Sequence, residues 1–273
     1  RTHNLISKGM PCVNLGLTSE LKWGAYNIGA GNQLPEEYGD YFAWGDTTTY
    51  YKNWKGDKGN TIADEQWKEK YKGTGYTWAN YTFIKDGYTG GDDDLPTKED
   101  FTKYAKDTLT LKLEDDVAHV RLGEGWRMPR KREFDELYNE CYWEWTNNYN
   151  STGVAGYIVY KSQDKATDHQ MTKEGTHTYS MKKDLYIFLP AAGYLDGTNL
   201  RDANVCGYYW SCELKPKEEY LEYYKVFPYE AYRIIFDDYE GILEESGCSF
   251  RYYGQPVRPV YDGNGIEPPI PLK

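Results

Sequence analysis

Long apolar runs are missing from this chain. The longest, Leu185 to Ala192, falls far short of the ~20 residues that a membrane span needs, so a membrane-embedded helix is not expected. Basic charge is in short supply as well: 32 basic against 43 acidic residues leave a formal net charge of −11. Such a surface repels phosphate backbones and anionic membranes, which argues against non-specific nucleic-acid binding. None of the five cysteines, Cys12, Cys141, Cys206, Cys212 and Cys248, falls in C-x-x-C spacing. Their odd number leaves at least one free thiol or an intermolecular pair. The four histidines are scattered, which argues against a zinc site of Cys/His type. No charged-then-apolar leader precedes the body of the chain at Arg1, so any secretion signal has been removed or was never there. There is neither a repeat of fixed period nor a linker in the middle, which favours one domain.

Aromatic residues, by contrast, are abundant. Only 39% of the 273 residues are hydrophobic, yet 17% are aromatic, with 29 Tyr and 9 Trp. Both carry apolar area with a polar handle and serve at a wet recognition surface as well as inside. The competing reading is that Tyr simply fills strands. A body of this length can bury roughly 75% of its unfolded surface, so a full core is expected.

The most distinctive run is Gly123-Glu124-Gly125-Trp126-Arg127-Met128-Pro129. Two glycines allow a tight turn, Trp126 needs a core, and Pro129 suits a helix start. Phe134, Leu137 and Tyr138 then follow at i, i+3 and i+4, which predicts a helix from Pro129 to about Glu140. Upstream, Cys12 to Leu17 and Leu21 to Gly29 alternate about a turn at Thr18-Ser19-Glu20, a hairpin pattern. A strand is expected over Tyr41 to Trp44. Residues 46 to 108 carry little apolar periodicity, and an excursion of this length is usually functional or flexible. Its Gly90-Gly91-Asp92-Asp93-Asp94 offers carboxylates to calcium, but the ordered spacing of a calcium loop is missing and a solvated acidic turn is the better reading. No cofactor is required beyond that one candidate structural calcium.

Leu113 to Val120 reads as a short helix with Asp115 and Asp116 near its start, where the helix dipole favours negative charge. Adjacent helical residues point ~100° apart, so the two cannot easily flank one glycosidic bond, and capping is the preferred reading. Asn147 to Asn150 has turn chemistry. Further strands are expected over Gly156 to Tyr160, Leu185 to Leu189, Gly207 to Ser211, Ala231 to Phe236, Ile242-Leu243 and Val257 to Val260. Residues 1–10 read as a lead-in or linker, 11–261 as the domain, and 262–273 as an extended Pro-rich tail.

Eight motifs in order then carry a resemblance: V-N-L-G-L with L-K-W and N-I-G-A (Val13 to Ala30), P-E-E-Y-G-D-Y-F-A-W-G-D (Pro35 to Asp46), L-E-D-D-x-A-H-V (Leu113 to Val120), G-x-G-W-R-M-P (Gly123 to Pro129), I-F-L-P-A-A-G-Y (Ile187 to Tyr194), G-Y-Y-W-S (Gly207 to Ser211), A-Y-R-I-I-F-D (Ala231 to Asp237) and R-Y-Y-G-x-P-V-R-P-V (Arg251 to Val260). In these the chain resembles the Fibrobacter succinogenes major paralogous domain, a family of secreted and surface proteins of Bacteroidetes. The resemblance implies an α+β, C-type-lectin-like fold related to the formylglycine-generating enzyme. Two main helices would surround a twisted, mostly antiparallel sheet with long loop insertions. Trp126 to Pro129 would then be the turn into the second helix and Val257 to Val260 the closing strand. The chain departs from the family at Tyr26, where relatives often carry Cys, leaving Cys141 without that partner. It departs also at Cys212, where Ser is frequent, and at Gln255, where a bulky residue is usual.

The implied function is a secreted or cell-surface binding module, adhesin- or lectin-like, for a glycan or a host or bacterial surface protein. Its expected ligand face takes Tyr209, Glu213, Tyr223, Tyr224, Phe250, Tyr252 and Tyr253, since aromatic faces stack on sugars or anchor protein contacts. Trp44, Trp126, Arg127 and Trp210 are expected to be structural, with Trp126 packed beneath Trp210 and Trp44. A core role for Tyr209 and Tyr253 is the competing reading. An enzyme of the formylglycine-generating type is disfavoured for want of a nucleophile, base and orienter, with Cys206 and Cys212 as its sole candidates. The tip or subunit of a surface appendage is the remaining alternative.

Overall fold

The structure, a computed structural model, describes residues 10–49, 74–90, 95–105, 108–162, 179–215, 228–239 and 242–263, with the backbone alone for 242–246. It is a mixed α and β protein in which antiparallel sheet dominates and helices are few. β1 (Cys12–Asn14) and β2 (Lys22–Gly24) form the expected hairpin, with Val13 opposite Trp23. The intervening turn is tied down by a helix elsewhere: Ser19 N and Oγ donate to Glu136 at 2.8 and 2.6 Å, and Thr18 N donates to Glu140 at 3.0 Å.

The single helix expected over Leu113 to Val120 is split. A 3-10 turn, Leu113–Asp115, ends at Asp116, whose extended backbone breaks the run ahead of α1 (Val117–Leu122). Asp116 Oδ1 accepts from Ala118 N at 2.9 Å and His119 N at 3.2 Å, filling donors that a helix start leaves unpaired. Its carboxylate also accepts from Met128 N, at 2.8 Å to Oδ2. Asp115 turns instead to Lys103 Nζ, 2.9 Å away, and the Tyr104 hydroxyl. One carboxylate caps and the other is ion-paired, so the two have different tasks.

Gly123 closes α1 at φ 94°. Gly125, at φ 82°, lies under the Tyr261 ring, where a Cβ would come within 2.5 Å of Cε2. This clearance lets β3 (Trp126–Arg127) pair with the last strand. Arg127 then braces the corner, donating from Nη2 to Glu133 at 2.6 Å and from Nε to Asp262 at 2.8 Å. Glu133 in turn accepts from Arg130 N at 2.7 Å and so caps α2 (Lys131–Glu140).

β4 (Tyr142–Tyr149), β5 (Val154–Tyr160) and β6 (Tyr186–Pro190) form one antiparallel sheet. The turn expected at Asn147 to Asn150 begins later, because β4 runs through Tyr149 and the chain reverses with Asn150 and Ser151 at φ 47° and 61°. Cross-strand pairs Trp143–Val159 and Trp145–Tyr157 hold that strand together. A small hairpin, β7 (Tyr194–Asp196) and β8 (Asn199–Arg201), leads into β9 (Cys206–Leu214), β10 (Glu230–Asp237) and β11 (Ile242–Phe250), ordered β11-β10-β9. β11 is longer than the two residues expected. β12 (Val260–Tyr261) closes a four-stranded sheet, β1-β2-β12-β3, that joins the two ends of the described chain.

Tyr41 to Trp44 is no strand. Its groups go to separate segments, Phe42 N to Gln255 O at 3.0 Å, Trp44 N to Arg251 O at 2.8 Å and the Tyr41 hydroxyl to Ala192 O at 2.5 Å. Trp44, Trp126 and Trp210 share the larger core cluster, and Tyr261 meets Trp126 edge-on at 5.1 Å. A second cluster gathers Trp23, Phe134, Leu137, Trp143 and Val260 between α2 and the sheets. Among the described residues no helix is long and apolar enough to cross a membrane.

Asp116→Ala removes a helix cap and leaves the buried Met128 N without its acceptor. The expected cost is about 2–4 kcal/mol, read as a lowered urea midpoint with unchanged slope. Asp116→Asn, which keeps one acceptor oxygen, should lose about half as much. A midpoint unmoved by Asp116→Ala would contradict the capping role.

Candidate functional site

The sheet β9-β10-β11 and the turn after it assemble a band of aromatic rings. From the interior outward, Trp78 meets Tyr252 at 4.9 Å, Tyr252 meets Tyr253 at 4.7 Å, Tyr253 meets Tyr194 at 5.0 Å, and Tyr194 meets Tyr208 at 4.7 Å. Phe250 flanks the band, 5.6 Å from Tyr253. Trp78 and Tyr252 are buried, whereas Tyr194, Tyr208, Phe250 and Tyr253 are half-buried. Tilted and edge-on contacts of this kind suit the ring quadrupoles and fix each ring against its neighbour.

Local chemistry explains the placement. Gly193 precedes Tyr194 at φ 64°, at a point where a Cβ would meet Arg201 O at 2.0 Å, so only glycine turns the chain tightly enough. The Tyr208 hydroxyl donates to Asp202 Oδ2 at 2.9 Å. Asp202 itself sits at φ 55°, and its carbonyl accepts from Val205 N and Cys206 N. Burial, then the hydrogen bond to Asp202, push the Tyr208 hydroxyl well above its ordinary pKa. It therefore stays a neutral donor. Arg233, on β10, lays its guanidinium 5.1 Å from the Tyr208 ring centroid and donates from Nε to Ser249 Oγ at 2.5 Å.

Of the residues expected to meet a ligand, Phe250 and Tyr253 lie in this band, half-buried. Tyr252 lies in it too, but as the buried layer beneath them. Tyr209 is fully buried: its hydroxyl donates to Pro190 O at 2.7 Å and accepts from Asn27 Nδ2 at 3.2 Å, and its ring stacks on Phe236. Successive residues of a strand face opposite ways, so the tyrosine that reaches the surface is Tyr208, one position earlier. Glu213 is also away from the band, with Oε2 accepting from Lys131 N at 2.8 Å at the start of α2. Tyr223 and Tyr224 lie outside the described residues, as does the acidic triplet Asp92 to Asp94. Trp44 and Trp210 are fully buried.

The sequence reading left Tyr194, Tyr208 and Arg233 out of the face. The doublet Tyr208-Tyr209 carries the signal that one of the two points outward, and the glycine before Tyr194 marks a turn that exposes it. Neither feature says which face is wet.

Compared with protein-family models, curated proteins and solved structures, the chain matches none. The chemistry of the site therefore rests on its geometry. Cys141, Cys206 and Cys212 carry free thiols. Cys206 and Cys212 lie six residues apart on β9, roughly 20 Å along an extended strand, too far to pair with each other. Burial pushes the Cys206 thiol up to about 11 and those of Cys141 and Cys212 higher still, which opposes a reactive thiolate. Among the described residues no group of three or more His, Cys, Asp or Glu could hold a metal ion.

The one-position assignment is open to direct test. Tyr209→Ala should destabilise by about 3–5 kcal/mol, as large-to-small changes of buried aromatics do, while Tyr208→Ala should cost about 1 kcal/mol. Urea unfolding of the two variants checks the order, and a reversed order would place Tyr209 at the surface.

Proposed function

We propose that this chain is a ligand-binding module, secreted or cell-surface, which displays a Tyr-rich face on a C-type-lectin-like scaffold. One observation carries the reading: half-buried Tyr194, Tyr208, Tyr253 and Phe250 form an unbroken run of ring contacts that is backed by buried neighbours. Rigid aromatic groups anchor ligands at low entropy cost, since two torsions are fixed before the partner arrives. A flat ring also suits the C–H face of a pyranose, with hydroxyls at its margin to orient the sugar.

The lectin-like scaffold is supported by the pairing of β2 with β12, which closes the ends of the described chain, and by α2 starting directly after the Trp126 turn. The resemblance in eight ordered motifs points the same way and brings with it the surface location and a glycan or surface-protein ligand. The raised thiols and the separation of Cys206 from Cys212 weigh against the oxidase-like alternative.

Glycan arrays and bacterial-adhesion assays on the purified chain test the proposal. The expected result is selective binding, weakened at least tenfold by Tyr253→Ala or Tyr208→Ala with the fold retained. No ligand on any array, together with stoichiometric incorporation into a fibre, would overturn it in favour of an appendage subunit.

A further inference from the structure

Among the described residues Tyr239 is the only aromatic residue that stands mostly in solvent, 90% exposed, and Val205 is the next most exposed large apolar residue at 59%. Single exposed apolar side chains are ordinary, but these two lie at one end of one sheet. Cys206 of β9 pairs with Asp237 of β10, and Phe236 of β10 pairs with Ile242 of β11. Tyr239 is thus at the middle of the connection from β10 to β11, and Val205 immediately precedes the strand on the other side of β10.

Both positions are held by hydrogen bonds. Tyr239 N donates to Asp237 Oδ1 at 3.0 Å, and the root of the hairpin is tied to β5 by the Tyr157 hydroxyl, which donates to Asp237 O at 2.9 Å. The buried Phe236 ring anchors it from within, edge-on to Tyr157 at 5.4 Å and to Trp143 at 6.1 Å. Across the sheet, Val205 N and Cys206 N donate to Asp202 O at 3.0 and 2.9 Å, and Asp202 and Asn204 turn the chain at φ 55° and 66°. Side chains on a backbone that is already fixed lose less freedom when a partner arrives.

Shape and charge then select the partner. Small-molecule sites are concave, whereas a hairpin tip projects, and a projecting Tyr beside an aliphatic residue is the kind of anchor that protein interfaces use. Exposed carboxylates accompany both residues: Asp238 adjoins Tyr239, and Asp202 heads the Val205 turn. The exposed cation nearby in the chain, Arg201, lies 3.9 Å from Asp196. We infer that this end of the sheet is a protein-docking tip, on which Tyr239 and Val205 meet apolar side chains of a basic segment of a partner protein while Asp202 and Asp238 face its lysines or arginines. The contact goes beyond the tyrosine face and does not depend on it. Opposite charge sets the orientation of the partner, and burial of the Tyr239 ring supplies affinity.

Amide NMR titration of the intact chain tests this with three end-blocked pentapeptides, Lys-Leu-Lys-Leu-Lys, Ser-Leu-Ser-Leu-Ser and Glu-Leu-Glu-Leu-Glu. The lysine peptide should shift the amides of Val205, Asp238 and Tyr239 and bind about tenfold more tightly than either of the others. Tyr239→Ser and Val205→Ser, both at exposed positions, should each weaken it several-fold, and Asp238→Asn should weaken it less while flattening its dependence on salt. Equal binding of the three peptides would overturn the basic character of the partner. Shifts confined to Tyr194, Tyr208 and Tyr253 would move the contact to the aromatic face and overturn the tip. No shift with any peptide would overturn the inference and leave the binding-module reading, which the glycan arrays decide, as it stands.

Discussion

Two guanidinium groups buried without a carboxylate hold this structure together. Arg251 donates from Nε to the Tyr81 hydroxyl at 2.9 Å and from its two terminal nitrogens to Tyr104 O, Pro228 O and Lys103 O at 2.7–3.2 Å, with the Phe101 ring 4.3 Å away. Arg258 donates to Asn27 Oδ1, Gly24 O and Phe188 O at 2.7–3.1 Å. Burial pulls the Arg258 pKa down to about 10 and lowers that of Arg251, so both remain cations at neutral pH. Arg251 satisfies carbonyls of irregular chain, and Arg258 satisfies carbonyls of β2 and β6 together with the Asn27 side chain. Acceptors left unpaired are expensive in a core. A protein with this many short elements needs groups that reach several segments at once.

The same constraint places the aromatic face. Arg251 lies between Phe250 and Tyr252, its amide donates to Tyr229 O at 2.9 Å, and its carbonyl accepts from Trp44 N at 2.8 Å. With that residue fixed, Phe250 and Tyr253 emerge at the surface and Tyr252 turns inward. The cost of the arrangement shows at Tyr104, a non-glycine residue at φ 58° whose carbonyl is one of the Arg251 acceptors. Backbone strain of this kind persists where surrounding contacts over-determine it, and here the Tyr104 hydroxyl is also tied to Asp115 and Lys112 N. Face and core are therefore one mechanical unit.

Much of this was legible in the sequence. Periodicity located α2 and the first hairpin, and the Gly123 to Pro129 run marked a junction that does join α1, α2, β12 and, through Pro129 O and Cys212 N, β9. What failed was local in each case. The strand doublet Tyr208-Tyr209 reads the same in either register, and a slip of one residue exchanges surface for core. Asn147 and Asn148 look like a turn by type, but β4 runs on through them as an irregularity in its pairing with β5, between Thr146 and Tyr149. Glu213 is expected on the ligand face, yet it accepts from Lys131 N at the start of a helix 82 residues earlier in the chain. Partners distant in sequence decide such roles, and pattern alone does not name them.

The central claim is that buried guanidinium groups organise the scaffold that carries the aromatic face. Urea unfolding of Arg251→Met, followed together with amide hydrogen exchange, tests it most directly. The account predicts a loss of at least about 3 kcal/mol, with exchange protection falling at Trp44 and at the Arg251 amide itself. Unchanged or increased stability, the outcome known for buried charges that apolar side chains replace without loss, would contradict it.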